Sequence, residues 1–184
     1  GKVTAIELAF TSPNADTTIN KLCKEYCDDP KVIVGAGTVL DAATARIAII
    51  AGAKFIVSPS FNKETAELCN LYELPYIPGC FSPTEVQLAM KFGVDVVKIF
   101  PASIVGKKVI KEMHGPFLHI SIMPTGGITL EDMHEWFENG AFVVGVGGSL
   151  VGPGKKGDYQ AVTNNARQFH KEYLDIISKK EVKL

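Results

Sequence analysis

The feature that most constrains this chain is a repeated exchange between two hydrophobic periods. Short β-branched runs alternate with amphipathic helical stretches throughout. The strand-like segments are 3–9, 32–37, 54–58, 75–78, 94–100, 119–124 and 141–146. The helix-like segments between and after them are 15–27, 41–51, 62–72, 82–92, 105–114, 129–139 and 158–178. Strict alternation with nearly continuous apolar strands argues for a parallel sheet covered by helices.

A local signature recurs ahead of the strands. Ala51-Gly52-Ala53, Phe92-Gly93-Val94 and Asn139-Gly140-Ala141 each place a glycine between a helix end and a strand. Glycine suits the left-handed residue just past a helix C-terminus. Repetition of one βα unit favours a (β/α)8 TIM barrel over a doubly wound sheet. Seven strands are counted where a closed barrel needs eight, and the first begins at the start of the chain. The expectation is therefore a single barrel domain over 1–184 that lacks its first βα unit. An open or seven-stranded sheet is the alternative. Loops are short, and no linker or second domain is read.

Composition excludes some partners. The 184 residues carry a formal net charge of −1, so no basic footprint for nucleic acid or an anionic membrane is present. No apolar run reaches the roughly 18 residues of a transmembrane helix. The start, Gly1-Lys2-Val3-Thr4, lacks signal-peptide anatomy. Cys23, Cys27, Cys69 and Cys80 have no zinc-ligand spacing and read as reduced thiols of a cytoplasmic protein. Neither a metal nor a cofactor is expected.

The chemistry-bearing residues lie where barrels place active sites, at the C-terminal ends of strands. Lys98, in Val96-Val97-Lys98-Ile99-Phe100, sits in an apolar strand. Burial disfavours its charged form, and a neutral amine can attack a carbonyl to form a Schiff base. The bland reading is a lysine snorkelling to a strand end. Glu7, in Ala5-Ile6-Glu7-Leu8-Ala9, repeats the anomaly with a carboxylate. It is either an ion-pair partner of Lys98 or a general acid–base. Thr38 and Thr125 put hydroxyls beside glycines at strand ends. Each could hold a carboxylate, although a cap or turn is the plainer role. Thr125-Gly126-Gly127 and Gly147-Gly148-Ser149 follow the last two strands, where such barrels often bind phosphate through backbone N–H groups. Arginine occurs only at Arg46 and Arg167.

These segments, taken in order, resemble one known family. Ile6-Glu7-Leu8, Gly35-Ala36-Gly37-Thr38-Val39-Leu40, Val57-Ser58-Pro59, Ile77-Pro78-Gly79, Val97-Lys98-Ile99-Phe100-Pro101-Ala102, Gly115-Pro116-Phe117, Pro124-Thr125-Gly126-Gly127 and Gly147-Gly148-Ser149 carry the likeness. The family is that of 2-keto-3-deoxy-6-phosphogluconate (KDPG) and 4-hydroxy-2-oxoglutarate aldolases. The resemblance implies a metal-free class I aldolase on a (β/α)8 barrel, usually a homotrimer, serving carbohydrate metabolism of the Entner–Doudoroff type. Its Schiff-base lysine falls on Lys98 and its acid–base glutamate on Glu7. Substrate contacts fall on Thr38, Thr125, Phe100, Pro78 and Thr11, and phosphate contacts on Gly126, Gly127, Gly148 and Ser149. The implied partners are a phosphorylated keto-acid substrate and pyruvate. Thr11 departs from the arginine that many members carry there, which points toward phosphogalactonate-specific branches. The rivals are a phosphate-binding isomerase or epimerase without an imine, and an inactive barrel that only binds phosphorylated ligands.

Overall fold

The computed structural model describes residues 1–181, which form two compact units. One is Thr4–Lys98; the other is Gly1–Val3 together with the chain from Ile99 onward.

In Thr4–Lys98 the order is β1 (Ala5–Ala9), α1 (Ala15–Glu25), β2 (Ile33–Gly37), α2 (Ala42–Ala51), β3 (Ile56–Val57), α3 (Lys63–Leu71), β4 (Tyr76–Ile77), β5 (Gly79–Cys80), α4 (Pro83–Lys91) and β6 (Val96–Ile99), whose last residue passes into the other unit. Strands β1 to β4 pair in sequence order, and each pair is parallel. Glu7 lies opposite Gly35, and Ala9 opposite Gly37. Ile19, Val34, Ala45, Ala48, Ile56, Val57, Val86 and Val97 are buried and form the core of this unit. Helix α2 contributes Ala45, Ala48 and Ala51, three residues apart on one face. The small side chains let the helix lie close to the strands.

Helix starts are encoded locally. Asp41 accepts from the Thr44 N–H at 2.7 Å, as its position before α2 predicts. Asn62 caps α3 in the same way at 2.8 Å. Ser82 and Glu85 form a reciprocal capping box on α4, with Pro83 in its first turn. Gly52, Gly93 and Gly140 all take positive φ just past helix ends, as the repeated signature requires.

From Ile99 the order is α5 (Ala102–Val105), α6 (Lys108–His114), β7 (Ser121–Pro124), α7 (Met133–Glu138), α8 (Gly148–Val151), a 3-10 turn (Gly152–Lys156) and α9 (Tyr159–Glu181). Ile110, Ile122, Met133, Trp136 and Phe137 form its core with Ala166 and Phe169 of α9.

The α/β class and the parallel pairing agree with the sequence reading. Several elements differ. The extended run 76–80 breaks at Pro78, which has no N–H to donate. The β1–β4 ladder ends before it, and β5 and β6 are neighbours in another sheet, so a continuous closed barrel ladder is not formed. The strand expected at 141–146 reduces to a single bridge between Gly145 and Thr125. That segment makes two ladder-like bonds, Phe142 N–H to Ile122 O and Gly145 N–H to Pro124 O, and then runs into glycines. The helix expected at 105–114 is split by Gly106, at φ 78°. The helix expected from 129 begins at Met133, because Thr129 N–H and Asp132 Oδ1 close a turn ahead of it. Helix α8 and the 3-10 turn were not anticipated.

Candidate active site

Lys98 is 6% exposed near the end of β6. Its backbone N–H donates to Pro78 O at 2.8 Å, which anchors the strand residue that carries the amine. Burial strips water from the ammonium and lowers its pKa; the Glu7 carboxylate opposes this by pulling it up. Glu7 shows the mirror image. Loss of water raises its pKa, and the Lys98 charge lowers it. Glu7 as a whole stays exposed along β1, but its carboxyl end is crowded by β2, so desolvation dominates there. The two anomalous charges found in the sequence are thus one electrostatic pair. Burial shifts both groups toward their uncharged forms, the direction that nucleophilic attack on a carbonyl and proton exchange both call for.

Thr38 follows β2 directly and takes φ 54°. A β-branched residue in the left-handed region is a genuine outlier, and such strain concentrates at functional sites. Its hydroxyl meets no hydrogen-bond partner among the described residues. Val39 N–H donates to Val57 O at 3.1 Å and holds the backbone just beyond.

Sequence reasoning missed the polar ring behind the loop after β3. Asn62 N–H donates to Tyr76 Oη at 3.2 Å, and the Tyr76 and Ser58 hydroxyls lie 2.7 Å apart. Ser58 Oγ donates to Ser60 O at 2.6 Å, and Tyr76 Oη reaches the same carbonyl at 3.3 Å. Both Ser58 and Tyr76 are buried. The ring fixes Pro59, whose carbonyl fills the space beside Cα of Gly79. Ser58-Pro59 at a strand end was the available signal; its tyrosine partner lies 18 residues away and leaves no local trace. Cys69 and Cys80, nearby, are no rival nucleophiles. Burial pushes their thiols up to about 11 and about 12.

In the unit from Ile99, Thr125 N–H donates to Ile99 O at 3.0 Å, and Thr125 O accepts from Ala102 N–H at 2.9 Å. Thr125 Oγ1 is a buried hydroxyl oxygen with no hydrogen-bond partner among the described residues. Gly126 and Gly127 follow at φ 98° and 83°, conformations that disfavour any side chain. A Cβ at Gly126 would lie 3.5 Å from the Phe100 ring, which places Phe100 against this loop. Gly147 and Gly148 border open space. Among the described residues, the N–H groups of Gly126, Gly127, Gly148 and Ser149 meet no acceptor. Ser149 Oγ donates to Ile128 O at 2.6 Å, so its proton holds the neighbouring loop. Thr11 lies in the exposed turn after β1, where Ser12 N–H donates to Ala9 O at 2.9 Å.

The model of the KDPG and KHG aldolase family matches residues 1–165. The chain belongs to this family. A 2-dehydro-3-deoxy-phosphogluconate aldolase of Treponema pallidum is 36% identical over 91% of this chain and 80% of that protein. Among solved structures, a native KDPGal structure superposes with a TM-score of 0.88 at 28% identity, covering 95% of this chain and 84% of that one. The KDPG aldolase from Legionella pneumophila, with pyruvate captured at low pH as a covalent carbinolamine, gives a TM-score of 0.75 at 26% identity over 94% of this chain and 80% of that one. A carbinolamine joins an amine to a carbonyl carbon. The members of the family named here are aldolases, which are carbon–carbon lyases.

Proposed function

We propose that this protein is a class I aldolase that reversibly cleaves 2-keto-3-deoxy-6-phosphogluconate to pyruvate and D-glyceraldehyde 3-phosphate. The observation that carries the proposal is buried Lys98 near the end of β6, in electrostatic contact with Glu7 of β1. The neutral Lys98 amine adds to the C2 ketone, giving a carbinolamine. Glu7 donates a proton to the carbinolamine hydroxyl, and loss of water leaves a protonated imine and the Glu7 carboxylate. The C3–C4 bond then breaks, its electron pair flowing into the imine as an enamine while the C4 hydroxyl proton passes to Glu7, directly or through water. The aldehyde leaves, the enamine is protonated at C3, and hydrolysis of the imine releases pyruvate.

The remaining roles are those the family resemblance implies, and local geometry supports them. The strained Thr38 and the unpartnered hydroxyl of Thr125 offer donors to the pyruvate carboxylate. Phe100 and Pro78 supply apolar surface. Free N–H groups at Gly126, Gly127, Gly148 and Ser149 offer donors to phosphate. Ser149 contributes this N–H rather than its committed hydroxyl. No step calls for a metal or cofactor. The repeated βα units and the family likeness support a (β/α)8 barrel; the homotrimer rests on the family likeness, and the cytoplasmic setting on the cysteines read as reduced thiols. No helix among the described residues is long and apolar enough to cross a membrane.

A second reading is cleavage of the phosphogalactonate-derived epimer. It rests on Thr11, where an arginine is absent, and on the likeness to the KDPGal structure. Cleavage of 4-hydroxy-2-oxoglutarate would use the same imine.

Borohydride reduction in the presence of pyruvate tests the chemistry. A stable adduct on Lys98 is expected, with none in Lys98→Met, which keeps its fold and loses turnover. Measurable cleavage by Lys98→Met would refute the lysine's role. Comparing kcat/KM for the two epimeric phosphorylated acids then decides the substrate.

A further inference from the structure

Glu7 owes its place to a missing side chain on the neighbouring strand. In the parallel register Glu7 faces Gly35, and the next residue on the same face of β2 is Gly37. The two glycines serve different ends. A Cβ at Gly35 would run into the Phe55 ring, so that glycine admits core packing. A Cβ at Gly37 would coincide with Glu7 Oε1 and would lie 2.6 Å from both Cδ and Cγ. The carboxyl group occupies the volume that any other residue would fill.

The strand cannot yield to make room. Phe10 N–H donates to Gly37 O at 2.8 Å on one side, and Val39 N–H is held by Val57 O just beyond. The backbone itself does not demand glycine, because φ of Gly37 lies outside the left-handed region. Alanine would therefore fit the chain but not the carboxylate. The arrangement recurs at another functional side chain. A Cβ at Gly145, bridged to Thr125, would coincide with Thr125 Oγ1.

We propose that Gly37 is a positioning residue for Glu7: its bare Cα leaves the space on β2 in which the Glu7 carboxylate lies, within electrostatic reach of Lys98. The proposal rests on the acid–base reading of Glu7. Gly37 touches neither substrate nor reacting atoms. It sets the rotamer of the group that moves the proton.

The test is Gly37→Ala, assayed by pyruvate release and thermal unfolding. The expected result is a folded protein whose kcat falls about 100-fold, as for loss of a general acid–base. The acidic limb of its pH–rate profile should move to lower pH, because a carboxylate pushed into water loses the desolvation that raised its pKa. In Gly37→Ala/Glu7→Asp the carboxylate is drawn back by one methylene, and at least tenfold of the lost rate should return. Wild-type kcat with an unmoved limb in Gly37→Ala, or no recovery in the double variant, overturns the proposal.

If Gly37→Ala fails to fold, stability alone decides. Gly37→Ala in a Glu7→Ala background should then unfold at the temperature of Glu7→Ala, since the overlap is gone. An undiminished loss in that background overturns the proposal. Full turnover by Glu7→Gln would instead refute the acid–base reading, leaving the stability coupling between positions 7 and 37 to be measured separately.

Discussion

Lys98 and Glu7 are each raised or lowered by burial and then partly restored by the other, so one side chain cannot be altered without retuning its partner. This fixes the sign of a pH effect. Burial holds the Lys98 pKa below the ordinary 10.5, so the rate of pyruvate adduct formation should rise with pH through a midpoint below that value. The Glu7 charge pulls Lys98 upward; Glu7→Gln removes that pull, and the midpoint should move to still lower pH. Borohydride trapping rates across pH measure both. A midpoint that rises or stays fixed in Glu7→Gln would show the two groups to be uncoupled. The pair was legible in the sequence because charge in an apolar strand violates burial, and one chain suffices to see the violation. Thr38 was visible only as a hydroxyl; its left-handed backbone is set by bonds to the neighbouring strand and has no local marker. Gly37 was legible as part of a motif, but its purpose depends on register, which composition does not encode. Ser149 was legible as part of a glycine loop, but the bond that ties its hydroxyl to Ile128 O, 21 residues away, leaves no local trace.

Elements were read best where local chemistry alone decides them. Asp41 before α2 and the glycines after three helices need only neighbours a few residues away, and each behaves as its residue type dictates. Ser82 before α4 belongs to the same class. Ser82→Ala removes its bonds to the Glu85 N–H and side chain and should cost about 1 kcal/mol. The melting temperature should then drop by roughly 2–4 °C for a domain of this size, with kcat unchanged; an unaltered melting temperature would mean that the cap is redundant. Strand lengths were over-read because β-branched composition extends past the hydrogen bonds. Residues 94–100 are apolar almost throughout, but the strand itself is Val96–Ile99. Residues 141–146 have strand composition and make only one bridge, at Gly145, whose bare Cα makes room for the Thr125 side chain. The break in 105–114 is carried by Gly106, a residue that a periodicity count treats as a tolerated weak point.

At the scale of the molecule, the alternation of periods identified the α/β class correctly because every repeat votes for it. The hydrogen-bond ladder was harder to foresee, since Pro78 interrupts it by lacking one proton. Assembly is tested directly. The trimer reading has apolar surface to draw on, with Leu40, Ile47 and Ile50 exposed in the Thr4–Lys98 unit. Sedimentation equilibrium should give about three times the chain mass of 19.9 kDa, and a concentration-independent monomer would refute it. A different consequence follows from the ring of Asn62, Tyr76, Ser58 and Ser60. The Ser58 hydroxyl, the Tyr76 hydroxyl and the Asn62 N–H are all committed within that ring, and Pro59, which it steadies, carries no proton on nitrogen. The bracing comes from inside the loop, so Tyr76→Phe, which strips the ring of a donor and an acceptor, should loosen the turn after β3.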